Sequence, residues 1–262
     1  MASPDSKEKL VALIGLLHEG QIPYKMIGGM TNLLFKSTIY KGVVIKTDKI
    51  QGKSLAEDKI TISCGARMGS VIRSIARIGL GGMEGLAGIP GTVGGMVRQN
   101  AGAFGYEVAD RFVSAECYVP RDQRYVIFSR ADMRFAYRSS ALADSGSVLL
   151  SATFEPLRES PELILKSIKE IDGKRRRAQP LEYPSLGSTF KRCNGRSAGF
   201  YIDRAGLKGM RIGGAEVSRK HAGFIINIGG ATANDFLKLI DVVKGKVYVD
   251  FGIELEEEIE VI

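Results

Sequence analysis

The sequence predicts an α+β fold, and three observations carry that prediction. Helix-like and strand-like segments alternate through the first 80 residues, which favours layered α/β or α+β packing over a helix bundle. A glycine-dense stretch follows at 80–105, where regular helix or strand would cost about 0.5–1 kcal/mol per glycine in chain entropy. Residues 112–130 then alternate apolar and polar side chains across a turn at Pro120–Gln123, the pattern of an antiparallel hairpin.

The elements follow in order. Residues 4–18 read as an amphipathic helix, capped by Asp5 or Ser6, with Leu10, Leu13, Ile14 and Leu17 on one face. Tyr24–Ile27 reads as a buried strand running into Gly28-Gly29, and Val43–Lys46 and Lys59–Cys64 read as two more short strands. Gly69–Ile78 is a second helix. The segment 161–178 is a third, ending in Lys174-Arg175-Arg176-Arg177, a cationic last turn that suits the helix dipole. From Pro180 the composition turns to loop formers (PLEYPSLGSTFKR), before a helix at 232–249 and a terminal strand over Glu254–Ile262.

Composition narrows the class. Of 262 residues, 44% are hydrophobic and 25% charged, as in ordinary globular chains. Lys and Arg number 37 against 29 Asp and Glu, a net +8, which suits diphosphates and dinucleotides. The basic residues are scattered without interleaved aromatics, so nucleic acid is not an expected partner. Cys64, Cys117 and Cys193 are isolated from one another, and only His18 and His221 could join them. No metal site and no disulfide framework is expected, and a reducing, cytoplasmic setting is. No apolar run reaches the roughly 18 residues of a membrane span, and no export signal is read near the start.

Two glycine-rich segments invite a ligand: GGMTNLL at 28–34 and GIPGTVGG at 88–95. Neither is a Walker loop, since Gly52-Lys53-Ser54 has Thr47 where the first glycine belongs, and neither is a GxGxxG after a strand. Backbone N–H groups in such loops can converge on an anion, or the loops can be tight turns between strands. The continuation Asn100-Ala101-Gly102-Ala103 favours binding, because small residues leave room for a planar ligand.

These residues carry a resemblance. GLAGIPGTVGGMVRQNAGAFG (85–105) resembles the flavin-binding signature of the UDP-N-acetylenolpyruvoylglucosamine reductase (MurB) family, and GGMTNLL resembles that family's GGGSNLL. YRSSAL (137–142), PSLGSTF (184–190), AGLKGMRIGGAEVSRKHAGFIIN (205–227) and FGIELEEEIEVI (251–262) follow in the family's order, so the match spans roughly residues 8–262. The resemblance implies a two-part FAD-binding domain of the vanillyl-alcohol-oxidase/PCMH-like type, followed by a C-terminal α+β substrate-binding domain. Subdomain 1 would cover 1–48, shortened at its start, where no T-x-x-[IV]-G-G segment occurs. Subdomain 2 would cover 49–180 and the substrate domain 181–262. The span of about 50 residues between Arg138 and Ser188 resembles the shorter subtype, which lacks an inserted tyrosine loop.

By the same resemblance, NADPH reduces a non-covalent FAD, which reduces UDP-N-acetylglucosamine enolpyruvate to UDP-N-acetylmuramate. That is a step of peptidoglycan precursor synthesis, and hence of cell-wall formation and cell division, by a monomer or weak oligomer. Hydride arriving at C3 of an enolpyruvyl group puts negative charge on C2 and its carboxylate, so such a site needs cationic donors and an acid aimed at C2. The family's catalytic positions fall on Arg138, Ser188 and Glu258. Arg138 would hold the carboxylate, Ser188 would protonate C2, and Glu258 would help polarise the carboxylate as a donor. Alternation would put Glu254, Glu256, Glu258 and Glu260 on one strand face, and only the family pattern LExE[VI] selects Glu258. FAD is expected on Gly28, Gly29, Thr31, Asn32 and Leu33 at the pyrophosphate. Gly88, Ile89, Pro90, Gly91, Gly94, Gly95, Asn100, Ala101 and Gly102 are expected along the ribityl chain and ring. Tyr137, Lys191, Arg192 and Glu216 are further candidates for the UDP-sugar.

Three departures stand out: the short start, Met30 where the family has glycine, and Cys193 with Phe200-Tyr201 near Ser188. They leave two rival readings, a flavin- or nucleotide-binding homologue that has lost catalysis and a different flavin oxidoreductase on the same fold.

Overall fold

The computed structural model describes residues 1–37 and 39–262. The chain forms two compact units. One comprises Met1–Gly29 and Tyr40–Asp172; the other comprises Met30–Ile39 and Gly173–Ile262.

The first unit is built on a five-stranded antiparallel sheet. Its order is Arg124–Ser129, Phe112–Val119, Val148–Phe154, Lys59–Ser63, Lys53–Ala56. The hairpin expected at 112–130 is present, with Val119 opposite Arg124 and the left-handed Gln123 closing its turn. The central strand Val148–Phe154 has no counterpart among the sequence expectations. Its VLLSATF run is buried on both faces apart from a half-buried Thr153, so it shows no alternation to read. Tyr24–Ile27 pairs in parallel with Val43–Lys46. Only Ile27 of the first strand is fully buried, rather than the whole strand as its apolar residues suggested.

The helix Lys7–Glu19 starts where the Ser6 hydroxyl accepts the Lys9 N–H at 3.2 Å, and it buries Leu10, Ile14 and Leu17. The helix Met68–Ala76 buries Met68, Val71, Ile72 and Ile75 in the same core, beside Val93 and Val97 of the short helix Val93–Arg98. This packing fixes the glycine-rich stretch against the sheet.

The second unit holds a four-stranded antiparallel sheet in the order Ser185–Ser188, Phe224–Asn227, Ala215–Val217, Arg211–Ile212. The helix Ala233–Phe251 packs Phe236, Leu239, Ile240, Val243 and Val247 into the core of this unit. Its start is a capping box in which Thr232 and Asp235 satisfy each other's backbone N–H groups. The expected terminal strand Glu254–Ile262 is broken. Glu257 bridges antiparallel to Phe190, the chain bends, and only Glu260–Val261 continues, parallel to Leu33–Leu34. Changing partner mid-segment is what divides the ladder. No helix among the described residues is long and apolar enough to cross a membrane.

Candidate active site

The glycine segment 88–95 is anchored from inside the first unit. Val93 and Gly94 donate their N–H groups to the carbonyls of Ala66 and Cys64, at 2.9 and 2.8 Å. Those two donors are therefore committed to the protein rather than to a ligand. The adjacent Thr92 hydroxyl is buried and has no hydrogen-bond partner, which is unusual for a buried polar group. It lies against the Gly28 backbone, so close that a Cβ at Gly28 would sit 2.2 Å from Thr92 Oγ1. The two glycine-rich segments thus meet at Gly28 and Thr92. An unsatisfied donor in a cradle that a side chain would fill is what a phosphate- or sugar-bearing cofactor needs. The residues present fit a bound FAD. Thr92 escaped the sequence reading because the glycines on either side carried the motif; a hydroxyl between them was the available signal.

Met30 takes a left-handed φ of 54°. The bend after Gly29 therefore keeps the conformation that glycine adopts most easily, and a methionine is strained into it.

Asn100 is buried, but its side chain is fully engaged by the protein. Nδ2 donates to Glu107 Oε2 and to the Ala136 carbonyl, each at 3.0 Å, and Oδ1 accepts the Ala109 N–H at 3.0 Å. Ala101 donates to the Met96 carbonyl, and Gly102 pairs with Glu107. Arg138 belongs to the same unit, in a two-residue turn closed by reciprocal 3.1 Å bonds between Ala136 and Ser139. Its Nη2 donates to the Gly102 carbonyl at 3.1 Å, and its guanidinium lies over the Tyr137 ring, 4.8 Å from the centroid.

In the second unit Ser188 ends a strand whose register slips between Ser185 and Ser188, with Gly187 left-handed at φ 80°. The slip re-aims the strand end, as bulges near functional sites do. Thr189, the next residue, donates to the Gly223 carbonyl and accepts the Glu258 N–H, both at 2.8 Å. Glu258, in the bend that follows the Glu257 bridge, is therefore held beside Thr189, the residue that follows Ser188. Asn32 completes the arrangement: its Nδ2 donates to the Glu258 carbonyl at 3.0 Å, and its own carbonyl accepts the Glu260 N–H at 2.9 Å.

The further substrate candidates have protein partners. Lys191 pairs with Glu256 at 3.1 Å. Glu216, 4% exposed, is held by Arg211 and by Arg219 at 3.7 Å. Arg192 is exposed, and Tyr137 is the platform under Arg138.

Burial sets the thiols. It pushes Cys64 and Cys117 up to about 12, despite the weaker opposing pull of the Lys7 charge on Cys64. Neither offers a thiolate at neutral pH. Burial also pushes the His221 imidazole below its ordinary 6.5, its own backbone hydrogen bond opposes this, and the Lys208 charge reinforces it.

Comparisons with known proteins show the family and the fold. A family model described as "FAD binding domain" matches residues 1–124, and one described as "UDP-N-acetylenolpyruvoylglucosamine reductase, C-terminal domain" matches 179–262. A UDP-N-acetylenolpyruvoylglucosamine reductase of Caldicellulosiruptor bescii is 44% identical over 99% of this chain and 83% of its own length. One of Lactobacillus delbrueckii subsp. bulgaricus is 39% identical over 100% of this chain and 88% of its own. The crystal structure of UDP-N-acetylenolpyruvylglucosamine reductase from Thermus caldophilus superposes with a TM-score of 0.84. It is 32% identical and covers 99% of this chain and 90% of its own.

Proposed function

From the premise that this chain belongs to the UDP-N-acetylenolpyruvoylglucosamine reductase family, we propose that its glycine-rich segments hold FAD and that Arg138, Ser188 and Glu258 act on the enolpyruvyl group. The chain is an FAD-dependent oxidoreductase of that family. Its substrate is UDP-N-acetylglucosamine enolpyruvate and its reductant NADPH, in the cytoplasm, with UDP-N-acetylmuramate as product.

FAD, when bound, would supply the redox chemistry that links NADPH to hydride delivery at C3 of the enolpyruvyl group. The chain's own residues answer the charge that results. As the C2–C3 π bond breaks, its electron pair moves onto C2 and the attached carboxylate. The Arg138 guanidinium binds two carboxylate oxygens and stabilises that charge. The Ser188 hydroxyl gives its proton to C2, and Glu258 polarises the carboxylate as a donor. Gly28, Gly29, Thr31, Asn32, Leu33 and the buried Thr92 hydroxyl would hold the pyrophosphate and ribityl oxygens of the cofactor. The segment Gly88 to Gly95 and Ala101-Gly102 leave room for the ring.

The observation that carries this reading is the Glu258 N–H to Thr189 bond of 2.8 Å, which fixes Glu258 beside the strand that ends in Ser188. The test is an anaerobic titration of the purified protein. The visible flavin band should bleach with NADPH and return on addition of UDP-N-acetylglucosamine enolpyruvate. A colourless protein that does not take up FAD, or a reduced flavin that only oxygen restores, would overturn it.

A further inference from the structure

The segment Arg98–Gly102 and the turn Ala136–Ser140 are stitched together at three points within the first unit. Ser140 Oγ donates to the Arg98 carbonyl at 2.8 Å, Asn100 Nδ2 to the Ala136 carbonyl at 3.0 Å, and Arg138 Nη2 to the Gly102 carbonyl at 3.1 Å. The central stitch is the most constrained. Asn100 is 1% exposed. Its amide orientation is dictated by its partners, since the Ala109 N–H requires an acceptor while Glu107 Oε2 and the Ala136 carbonyl each require a donor.

Both ends of this link are held in the left-handed region, Asn100 at φ 41° and Arg138 at φ 54°. Asparagine enters that region more readily than most residues; arginine does not. A strained residue persists only where its surroundings over-determine it. Here Asn100 grips the carbonyl that opens the turn, and Gly102, two residues on, receives the guanidinium that the turn presents.

We propose that Asn100 is a positioning residue for Arg138: it acts through the Ala136 carbonyl to hold the turn, and hence the guanidinium, in one place, and its side chain is not a flavin ligand. This rests on Arg138 being the carboxylate-binding group. The segment that the sequence assigned wholly to the cofactor thus has a division of labour, with Asn100 facing inward to the arginine turn.

The discriminating variant is Asn100→Asp. It keeps the volume and the acceptor for the Ala109 N–H but replaces the donor that faces Ala136 and Glu107. Asn100→Gly, which takes the left-handed backbone without strain, replaces it if the aspartate variant does not fold. Each is compared with wild type, Arg138→Ala and the double variant by flavin content, flavin reduction by NADPH, reoxidation by UDP-N-acetylglucosamine enolpyruvate, and a crystal structure. The expected result is unchanged flavin content and NADPH reduction, with reoxidation slowed about a hundredfold, as a misplaced catalytic group gives. The double variant should be no slower than Arg138→Ala, and the crystal structure should show the 136–139 turn displaced. Additive losses in the double variant would overturn the proposal. So would lost flavin affinity with normal reoxidation once FAD is restored, or an unmoved turn. If Arg138→Ala reoxidises like wild type, the role of Arg138 itself is wrong, and the position of the turn in the Asn100 variant alone decides whether Asn100 positions it.

Discussion

Asn32 donates from Nδ2 to the backbone carbonyl of Glu258 at 3.0 Å, across 226 positions of sequence. A residue assigned to the cofactor loop therefore helps to hold a proposed catalytic residue, inside one compact unit. Removing that side chain leaves the Glu258 carbonyl short of a donor, worth about 1 kcal/mol. Asn32→Ala should lower the melting temperature and slow reoxidation by the enolpyruvyl substrate. Thermal unfolding and anaerobic stopped-flow measure the two effects; an unchanged reoxidation rate would limit Asn32 to the cofactor.

Gly28 is required by contact. Its missing Cβ is the space that Thr92 Oγ1 occupies, 2.2 Å from where that atom would stand. Gly28→Ala should destabilise the fold by about 1–3 kcal/mol through overpacking, and the purified protein should carry little flavin. Gly15→Ala is the control. A Cβ at Gly15 meets nothing within 4 Å, and an alanine in this helix interior should stabilise by about 0.5–1 kcal/mol. Chemical denaturation and visible absorbance distinguish the pair.

The three free cysteines should differ in reactivity. Cys64 and Cys117 are buried, with burial pushing both thiols up to about 12. Cys193 is less enclosed, although burial raises it as well. Iodoacetamide at about pH 8 should alkylate Cys193 first, leaving Cys64 and Cys117 unmodified until the protein unfolds. Peptide mass mapping reads this directly. Modification of native Cys64 would show that the core near Gly94 opens.

His221 gives the second unit an acid-sensitive element. Its Nδ1 accepts the Gly223 N–H at 3.1 Å, which requires the neutral ring, and burial holds the folded imidazole below 6.5. The unfolded chain therefore binds the proton first as pH falls. The stability from the neutral ring is fully present above 6.5 and is lost as pH drops through the lower folded value. In His221→Asn, whose Oδ1 can still accept from Gly223, the fall in melting temperature from about pH 8 to about pH 5 should be smaller. An equal fall in both proteins would assign the acid sensitivity elsewhere.

Much of this arrangement was legible in the sequence, and the reasons differ by element. Leu10, Ile14 and Leu17 recur at helical spacing on a helix packed by one face, so periodicity found them. The hairpin at 112–130 was visible because one of its strands is an exposed edge and alternates. Val148–Phe154 was hidden because a strand covered on both faces has no period to read. The terminal acidic segment misled because alternation assumes one continuous ladder, while Glu257 and Glu260 pair with different strands. The link from Asn100 to Ala136 joins residues 36 apart through a side-chain bond, and no local pattern encodes such a contact.

The most direct test concerns the proton given to C2. Wild type and Ser188→Ala, each loaded with FAD, are reduced anaerobically with NADPH and mixed with UDP-N-acetylglucosamine enolpyruvate in a stopped-flow spectrometer. Loss of a general acid should leave reduction by NADPH intact and slow reoxidation by about 10²–10⁴-fold. Reoxidation of Ser188→Ala at the wild-type rate would contradict the assignment of that hydroxyl and the mechanism built on it.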